Sequence, residues 1–250
     1  MTVSSTAYLT QVRTLVGEVG ESQSDAVCEA ADLIADTLAS GGVLQTFGSG
    51  HSEALAMEIA GRAGGLVPSS RLALRDLVVY GDAPRELLRD PKLEREPGIA
   101  HRLYTLGNVR PEDAFVIASN SGINGVVVEL ALLVKERGHG LVAVTSAEQS
   151  RRLPSRHPSG RRLVELADVV LDNGAPYGDA LLPLPNGGAV CAVSSITGVL
   201  LAQMVTAEVV RRMLRAGHTP PVYLSANVPG GDEHNQALES RYAGRIRRTA

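Results

Sequence analysis

The strongest structural signal in the chain lies at residues 43–52, which read VLQTFGSGHS. An apolar run leads directly into a Gly/Ser turn, and a segment with helical character follows the turn. The first N–H groups of a helix have no partner inside the helix, and the helix dipole adds positive charge at the same end. Because glycine lets an anion approach the backbone closely, the stretch predicts a phosphate-binding turn.

A second stretch, residues 114–124, repeats this plan with the sequence AFVIASNSGIN. It combines an apolar strand, a Ser/Asn/Gly turn and a helix that begins near Ile123 or Asn124. Parallel strands that alternate with helices end at one edge of a sheet, where ligands of such folds bind. We therefore expect the two turns to form one sugar-phosphate site.

Strand-like and helix-like segments alternate along the rest of the chain. Short apolar runs predict strands at 43–47, 114–118, 140–145 and 169–171, with further strand material in 66–74 and 76–80. Apolar residues at helical spacing predict helices at 6–19, 22–40, 53–63, 123–137 and 188–215. This alternation predicts an α/β protein, a three-layer αβα sandwich around a parallel sheet of about five strands.

Two regions lie outside this alternation. Residues 81–110 are polar and rich in proline and charge, which predicts an insertion with one or two short helices. After Pro220-Pro221, the sequence predicts a C-terminal tail, from about residue 219, that is first extended and then helical. Because no low-complexity linker divides the chain, we expect residues 1–250 to form a single domain.

The composition argues against several classes of function. A net charge of −3 and the absence of tryptophan speak against nucleic acid as a partner. No apolar run reaches the ~18 residues of a membrane span, and the first residues lack the pattern of a signal peptide. Cys28 and Cys191 fall on predicted apolar helices and are expected to be buried free thiols. We therefore expect a cytoplasmic protein with no membrane partner.

Neither common nucleotide-binding motif fits the first turn. Gly48-Ser49-Gly50 opens a Gly-x-Gly-x-x-Gly pattern, but the third glycine position holds Glu53. A carboxylate there prevents the close helix–strand contact and does not tolerate a neighbouring pyrophosphate. The Gly-Lys-Ser/Thr of a P-loop is missing as well.

The two turns resemble those of the sugar isomerase (SIS) family, whose domains bind phosphosugars. The likeness extends to an uncharacterised bacterial branch of that family through KLER at 92–95, HPSG at 157–160, DNGAPYGD at 172–179 and GDEHN at 231–235. The sequence departs from the family by placing Asn124 where threonine is usual and His51 inside the first turn. The resemblance implies a flavodoxin-like fold, a homodimer or homotetramer, and a phosphorylated sugar held by Gly48, Ser49, Gly50, Ser52, Ser119, Asn120, Ser121, Gly122 and Asn124.

Glu58 is the strongest candidate for catalysis. Its predicted helix is apolar nearly all round, so the helix should be deeply packed and the carboxylate should be paired or have a raised pKa. In isomerases of the family that the chain resembles, a Glu on this helix is the general base. The alternative is an ion pair with Arg62 at i,i+4 spacing.

Two histidines are candidates for a second catalytic group. His51 lies in the first turn, where its ring can contact the sugar or the phosphate, or simply pack against the turn. His234 begins a short helix after Gly230-Gly231, so it is either a catalytic group or an ordinary surface residue. The histidines are scattered without paired ligand spacing, so we expect no metal and no other cofactor. Arginines within 151–162 form a solvated loop or supply one phosphate contact.

The expected reaction is therefore aldose–ketose isomerisation of a phosphosugar, by analogy with the family. A carboxylate would move a proton between adjacent carbons, and a second group would shuttle hydroxyl protons or open the ring. Two alternatives stay open. One is an ether-cleaving lyase of the muramic acid phosphate type, and the other is a non-catalytic sugar-phosphate sensor.

Overall fold

A five-stranded parallel sheet forms the centre of the computed structural model, which describes residues 3–247. The strands in chain order are β1 Leu44–Gly48, β2 Ser69–Leu72, β3 Ala114–Ala118, β4 Leu141–Thr145 and β5 Val169–Asp172. They lie side by side in the order β2-β1-β3-β4-β5, and all neighbours are parallel. The sequence-based prediction of an α/β fold with about five parallel strands is confirmed.

Nine α-helices surround the sheet within residues 3–247. They are α1 Ser5–Ser22, α2 Ser24–Ala39, α3 Glu53–Ile59, α4 Asp76–Val79, α5 Ile99–Leu106, α6 Gly125–Glu136, α7 Ala147–Arg152, α8 Ser194–Arg215 and α9 Gly231–Glu239. One apolar core joins a face of the sheet to α2, α3 and α8, and a second joins the opposite face to α5 and α6. Because both faces are covered, β3 and β4 are apolar nearly throughout, whereas β1 and β2 also bury polar side chains. No described helix is long and apolar enough to cross a membrane.

The strand order reverses between β1 and β3. The chain leaves β1 through α3 to reach β2 on one side, and it leaves β3 through α6 to reach β4 on the other. The two helices cover opposite faces of the sheet, so a crevice opens between the carboxyl ends of β1 and β3. In the strand register Gly48 is opposite Ala118, which places the two Gly/Ser turns side by side.

Two element predictions were wrong in detail. Residues 76–79 form a helix instead of a strand, because the Asp76 carboxylate accepts the Ala73 N–H at 3.0 Å and closes a helical turn. Helix α8 begins at Ser194 instead of 188, because the Asp179 carboxylate accepts the Ser194 N–H at 2.8 Å. The preceding residues pair as an antiparallel hairpin of β6 Ala180–Pro183 and β7 Ala189–Ala192.

Two further expectations are corrected by these boundaries. Cys191 lies on strand β7, outside any helix, and Cys28 and Cys191 are both partly exposed. Helix α3 ends at Ile59 instead of 63, because Ala60 is extended and Gly61 has a φ of +85°. Beyond it, the Gly64 N–H donates to the Tyr223 carbonyl at 2.8 Å, so the backbone after the helix is hydrogen bonded to the C-terminal tail.

The tail and the insertion both pack back on the sheet. Leu66 bridges Val222 in the extended part of the tail, and α9 follows, as the sequence predicted. The insertion contains α5 and two 3-10 turns, Arg85–Arg89 and Leu93–Arg95. Leu93 is 4% exposed in the second core, so residues 90–97, here called the 90–97 segment, are anchored beside the crevice.

The 90–97 segment is also pressed against the start of α6. A Cβ atom on Gly125 would lie 2.1 Å from the Arg95 carbonyl oxygen, so only glycine fits at that position. We expect Gly125→Ala to lower the free energy of unfolding by about 1–3 kcal/mol, because two rigid backbone segments must move apart. Urea unfolding measures the change.

Gly17→Ala is the matched control, since Gly17 is also helical but has open space around it. That variant should gain about 0.4–1 kcal/mol of stability. Equal stability of the Gly125→Ala protein and the unchanged protein would contradict a tight contact with Arg95.

Candidate functional site

The two turns between strands and helices form the centre of the site. In the first turn, a Cβ atom on Gly48 would lie 2.2 Å from the Ser52 carbonyl oxygen, and Gly50 has a φ of +57°. In the second turn, Gly122 has a φ of +65°, and its N–H donates to the Ser119 hydroxyl at 3.1 Å. The glycines are therefore required by backbone geometry, and Ser119 shapes the second turn.

A cleft lies beside the turns, on the α3 and α8 side of the sheet. Its lining contains three of the predicted site residues, His51, Ser52 and Asn120. It also contains three residues that sequence reasoning did not select, Asn173, Ser194 and Ser195. Asn173 belongs to the stretch 172–179, which is part of the family resemblance, so the sequence did contain a signal for this residue.

Amide hydrogen bonds fix the floor of this cleft. Asn173 Nδ2 donates to Asn120 Oδ1 at 3.0 Å, and Asn120 Nδ2 donates to Gln149 Oε1 at 3.1 Å. Because the Asn120 side chain accepts a hydrogen bond with its oxygen and donates one with its nitrogen, the orientation of its amide is fixed. Asn120 is thus held in place before any ligand arrives.

The serines of the two turns differ in their hydrogen bonds. The Ser49 hydroxyl donates to Glu94 Oε2 at 3.0 Å. Within residues 3–247, no protein partner is found for the hydroxyl groups of Ser52 and Ser121. Ser52 and Ser121 therefore provide donors that are available to a ligand.

Glu94 connects the two turns, a contact that sequence reasoning missed. While Oε2 accepts from Ser49, Oε1 accepts from Asn124 Nδ2 at 2.9 Å. Arg156 in turn donates from a guanidinium nitrogen to Asn124 Oδ1 at 3.0 Å. Two features of the sequence point to these residues: Glu94 belongs to KLER at 92–95, which is part of the family resemblance, and Arg156 belongs to the arginine-rich region 151–162.

The loop that carries Arg156 is attached to α6 by a shared carboxylate. Glu129 is hydrogen bonded to His157 at 2.7 Å and to His101 at 2.6 Å. Burial raises the pKa of Glu129, but the hydrogen bonds from the two histidines outweigh burial and lower its pKa overall. The ionised Glu129 therefore holds the loop beside the second turn.

Arg71 adds a buried positive charge near the first turn. It lies on β2 opposite Thr46 of β1, and its side chain is only 3% exposed. A guanidinium nitrogen lies 3.4 Å from Glu53 Oε1 at the start of α3. No hydrogen-bond partner is found for its three guanidinium nitrogens among the described residues. The ion pair ties β2 to the start of α3 beside the first turn.

Glu58 lies next to the cleft without lining it. Ala54 on α3 and Val199 on α8 line the cleft, and Glu58 and Gln203 follow each of them by one helical turn. The Glu58 carboxylate is hydrogen bonded to Arg62 and accepts from Gln203 Nε2 at 2.8 Å. The ion pair considered from the sequence is therefore present, and a catalytic role for Glu58 stays a prediction.

The expected deep burial of this helix was wrong. Met57 is 51% exposed and Ala54 is also exposed, so α3 buries only one face. The apolar pattern predicts burial on all sides, but several of these residues are alanines, whose small side chains lose little when they are exposed to solvent. The Glu58 side chain itself remains 19% exposed.

His51 and His234 occupy different parts of the molecule. His51 is exposed and lines the cleft. His234 is exposed on α9, where its ring nitrogen lies 3.0 Å from the Val222 carbonyl oxygen, and it is not among the cleft residues. Of these two histidines, the structure therefore brings His51 to the turns within one chain. Among the described residues, no cluster suited to a metal ion is found.

The fold and the paired turns define an α/β protein whose ligand site lies where the strand order reverses. A family model described as SIS domain matches residues 7–146. A UPF0309 protein of Listeria monocytogenes is 41% identical over 96% of this chain and 97% of that protein. A UPF0309 protein of Geobacillus kaustophilus is 39% identical over 90% of this chain and 88% of that protein. The chain therefore belongs to the SIS domain family, in the branch of the UPF0309 proteins.

Solved structures support the fold assignment. The phosphoheptose isomerase of Neisseria gonorrhoeae matches with a TM-score of 0.54 at 18% identity, over 81% of this chain and 95% of that one. A phosphoheptose isomerase from Francisella tularensis matches with a TM-score of 0.53 at 15% identity, over 84% of this chain and 100% of that one. At these identities the likeness concerns the fold, and the predicted SIS-type architecture is confirmed.

The lowered pKa of Glu129 leads to a pH-dependent prediction. A carboxyl group with a lowered pKa in the folded state stabilises the protein above its unfolded pKa, and the gain is lost as the pH falls through the folded value. We expect Glu129→Gln to be less stable than the unchanged protein at pH 7. The difference should shrink as the pH falls below about 4.

Urea unfolding across this pH range measures the effect. Glu136→Gln is the matched control, because Glu136 is exposed on the same helix and forms no ion pair among the described residues. A stability loss for Glu129→Gln that stays constant with pH would show that the ionised carboxylate does not hold the loop.

Proposed function

We propose that the protein binds a phosphorylated sugar at the two turns and interconverts its aldose and ketose forms. The observation that supports this best is the pair of hydroxyls of Ser52 and Ser121, which have no partner among the described residues and lie on adjacent turns at the switch in strand order. Hydroxyl and backbone N–H donors that converge at such a position suit one phosphate group. The fold likeness to two phosphoheptose isomerases agrees with this class of ligand.

In the proposed reaction, Glu58 takes a proton from the carbon next to the carbonyl group and returns it to the neighbouring carbon. An enediolate forms in between, and a second group moves the hydroxyl protons. His51 is the candidate for that second group within the chain, because it lines the cleft. His234 fills the same role only if it comes from a neighbouring subunit of the proposed homodimer or homotetramer.

The function is tested by screening the purified protein against sugar phosphates of five to seven carbons. A ligand that binds only the folded state raises the thermal midpoint. Each ligand is then incubated in deuterium oxide, and isomerisation should incorporate deuterium at the carbon next to the carbonyl. Binding without deuterium incorporation or product would favour a sensor over an isomerase, and no binding would contradict the proposed function.

The first prediction for this site concerns Ser121. Ser121→Ala removes one donor to the phosphate and should weaken phosphosugar binding by about 1–2 kcal/mol, the scale of a hydrogen bond to a charged group. Calorimetric titration measures the change. Ser40→Ala, at the exposed end of α2, is the control and should bind as the unchanged protein does. Unchanged affinity in Ser121→Ala would remove the second turn from the phosphate site.

The second prediction separates the two roles of Glu58. Glu58→Gln keeps the shape and the Gln203 contact but cannot take a proton, so kcat should fall by about 10²–10⁴. Arg62→Gln breaks the same ion pair while leaving the carboxylate, so its thermal midpoint should shift as much while turnover is largely kept. Normal turnover by Glu58→Gln, together with equal losses of stability in both variants, would show that the pair is structural.

A further inference from the structure

We propose that Glu94 is the carboxylate that binds the hydroxyl groups of the sugar, beside the phosphate. The inference rests on the proposed phosphosugar function and adds the residue that recognises the sugar itself. It assigns Asn124 and Arg156 as positioning residues for that carboxylate. Four observations support it: the hydrogen bonds of Glu94, its charge, the orientation of Asn124 and the anchoring of the 90–97 segment.

The hydrogen bonds leave half of the carboxylate free. One oxygen accepts from Ser49 at 3.0 Å and the other accepts from Asn124 at 2.9 Å. A carboxylate has about four lone-pair positions, so about two remain for donors of a ligand. Sugar hydroxyls are such donors, and neighbouring hydroxyls on a sugar can each bond one oxygen.

The charge of Glu94 is not paired directly with a cation. Among the described residues, no salt bridge is found for Glu94, whereas Glu58 is paired with Arg62. Hydrogen bonds from hydroxyl groups to an ionised acceptor are short and strong. A half-buried carboxylate that is held by neutral donors keeps this capacity for a ligand.

The orientation of Asn124 is set from outside the crevice. Arg156 donates to Asn124 Oδ1 at 3.0 Å, so the amide must present Nδ2 to Glu94. Asparagine has two separate polar atoms, one for each of these contacts.

The anchoring of the 90–97 segment keeps the carboxylate in the crevice. Leu93 is buried before Glu94, and the Arg95 carbonyl after it is pressed against Gly125. A phosphate that used the donors of Ser49 and Asn124 would face the negative charge of Glu94. The phosphate is therefore assigned to Ser52, Ser121 and the backbone of the turns, and Glu94 meets the adjoining sugar.

The test compares two ligands, inorganic phosphate and the tightest sugar phosphate from the screen. Glu94→Gln keeps the size of the side chain but loses the charge and one acceptor. We expect about a tenfold or greater loss of affinity for the sugar phosphate in calorimetry, the factor that a charged hydrogen bond represents. Inorganic phosphate should bind at least as tightly as before, because a nearby negative charge has been removed.

The matched control is Glu96→Gln, since Glu96 is exposed in the same segment and its side chain has no hydrogen bond or ion pair among the described residues. It should leave both affinities unchanged. Arg156→Ala should weaken the sugar phosphate and spare inorganic phosphate, and Arg156→Lys should restore part of the loss. A general loss of structure would lower both affinities together.

Three results would overturn the inference while leaving the proposed function in place. Unchanged binding of both ligands by Glu94→Gln would show that Glu94 does not contact the sugar. Tighter binding of both would show that it only occupies the anion position, and an equal loss for both would show that it only shapes the turns. If the unchanged protein bound neither ligand, the proposed function itself would fail and the inference with it.

Discussion

The parallel pairing of β1 with β3 is the constraint on which the site depends. Because Gly48 lies opposite Ala118, the two turns leave the sheet at the same level and only one strand spacing apart. The helices that follow must pack on opposite faces, since α3 leads back to β2 and α6 leads on to β4. The strand order therefore creates the crevice between them. Glycine is required at Gly48 and Gly125 because a Cβ atom there would collide with neighbouring backbone.

The sequence alone predicts this framework well, for a physical reason. Strands buried on both faces are nearly continuous apolar runs, and glycine-rich turns mark their ends, so 43–48 and 114–118 carry strong local signals. The wrong predictions concern segments whose local sequence favours helix and strand equally. Residues 76–79 and 189–192 are short apolar runs that fit helix or strand equally, and the carboxylates of Asp76 and Asp179 determine the outcome through single contacts.

The site was predictable only where its residues belong to the turns. Glu94 and Arg156 lie in segments without a hydrophobic period, and tertiary contacts bring both to the crevice. The contact of the Arg95 carbonyl with Gly125 positions Glu94, and the hydrogen bond of His157 to Glu129 positions Arg156. No local pattern carries this information, because each contact joins residues about 30 positions apart. The likeness to the family marked both segments without indicating where they meet.

The two carboxylates near the crevice differ in what their surroundings allow. Glu58 accepts from Arg62 and Gln203 at the same oxygen, Oε1, and is partly open to solvent at the end of α3. Glu94 is held by a hydroxyl and an amide, which fix its position without neutralising its charge. A base needs one oxygen open to the substrate proton, whereas a binding group must stay fixed. Among the described residues no partner is found for Glu58 Oε2, so this oxygen is open to a proton without movement of Arg62, and recognition by Glu94 requires no movement either.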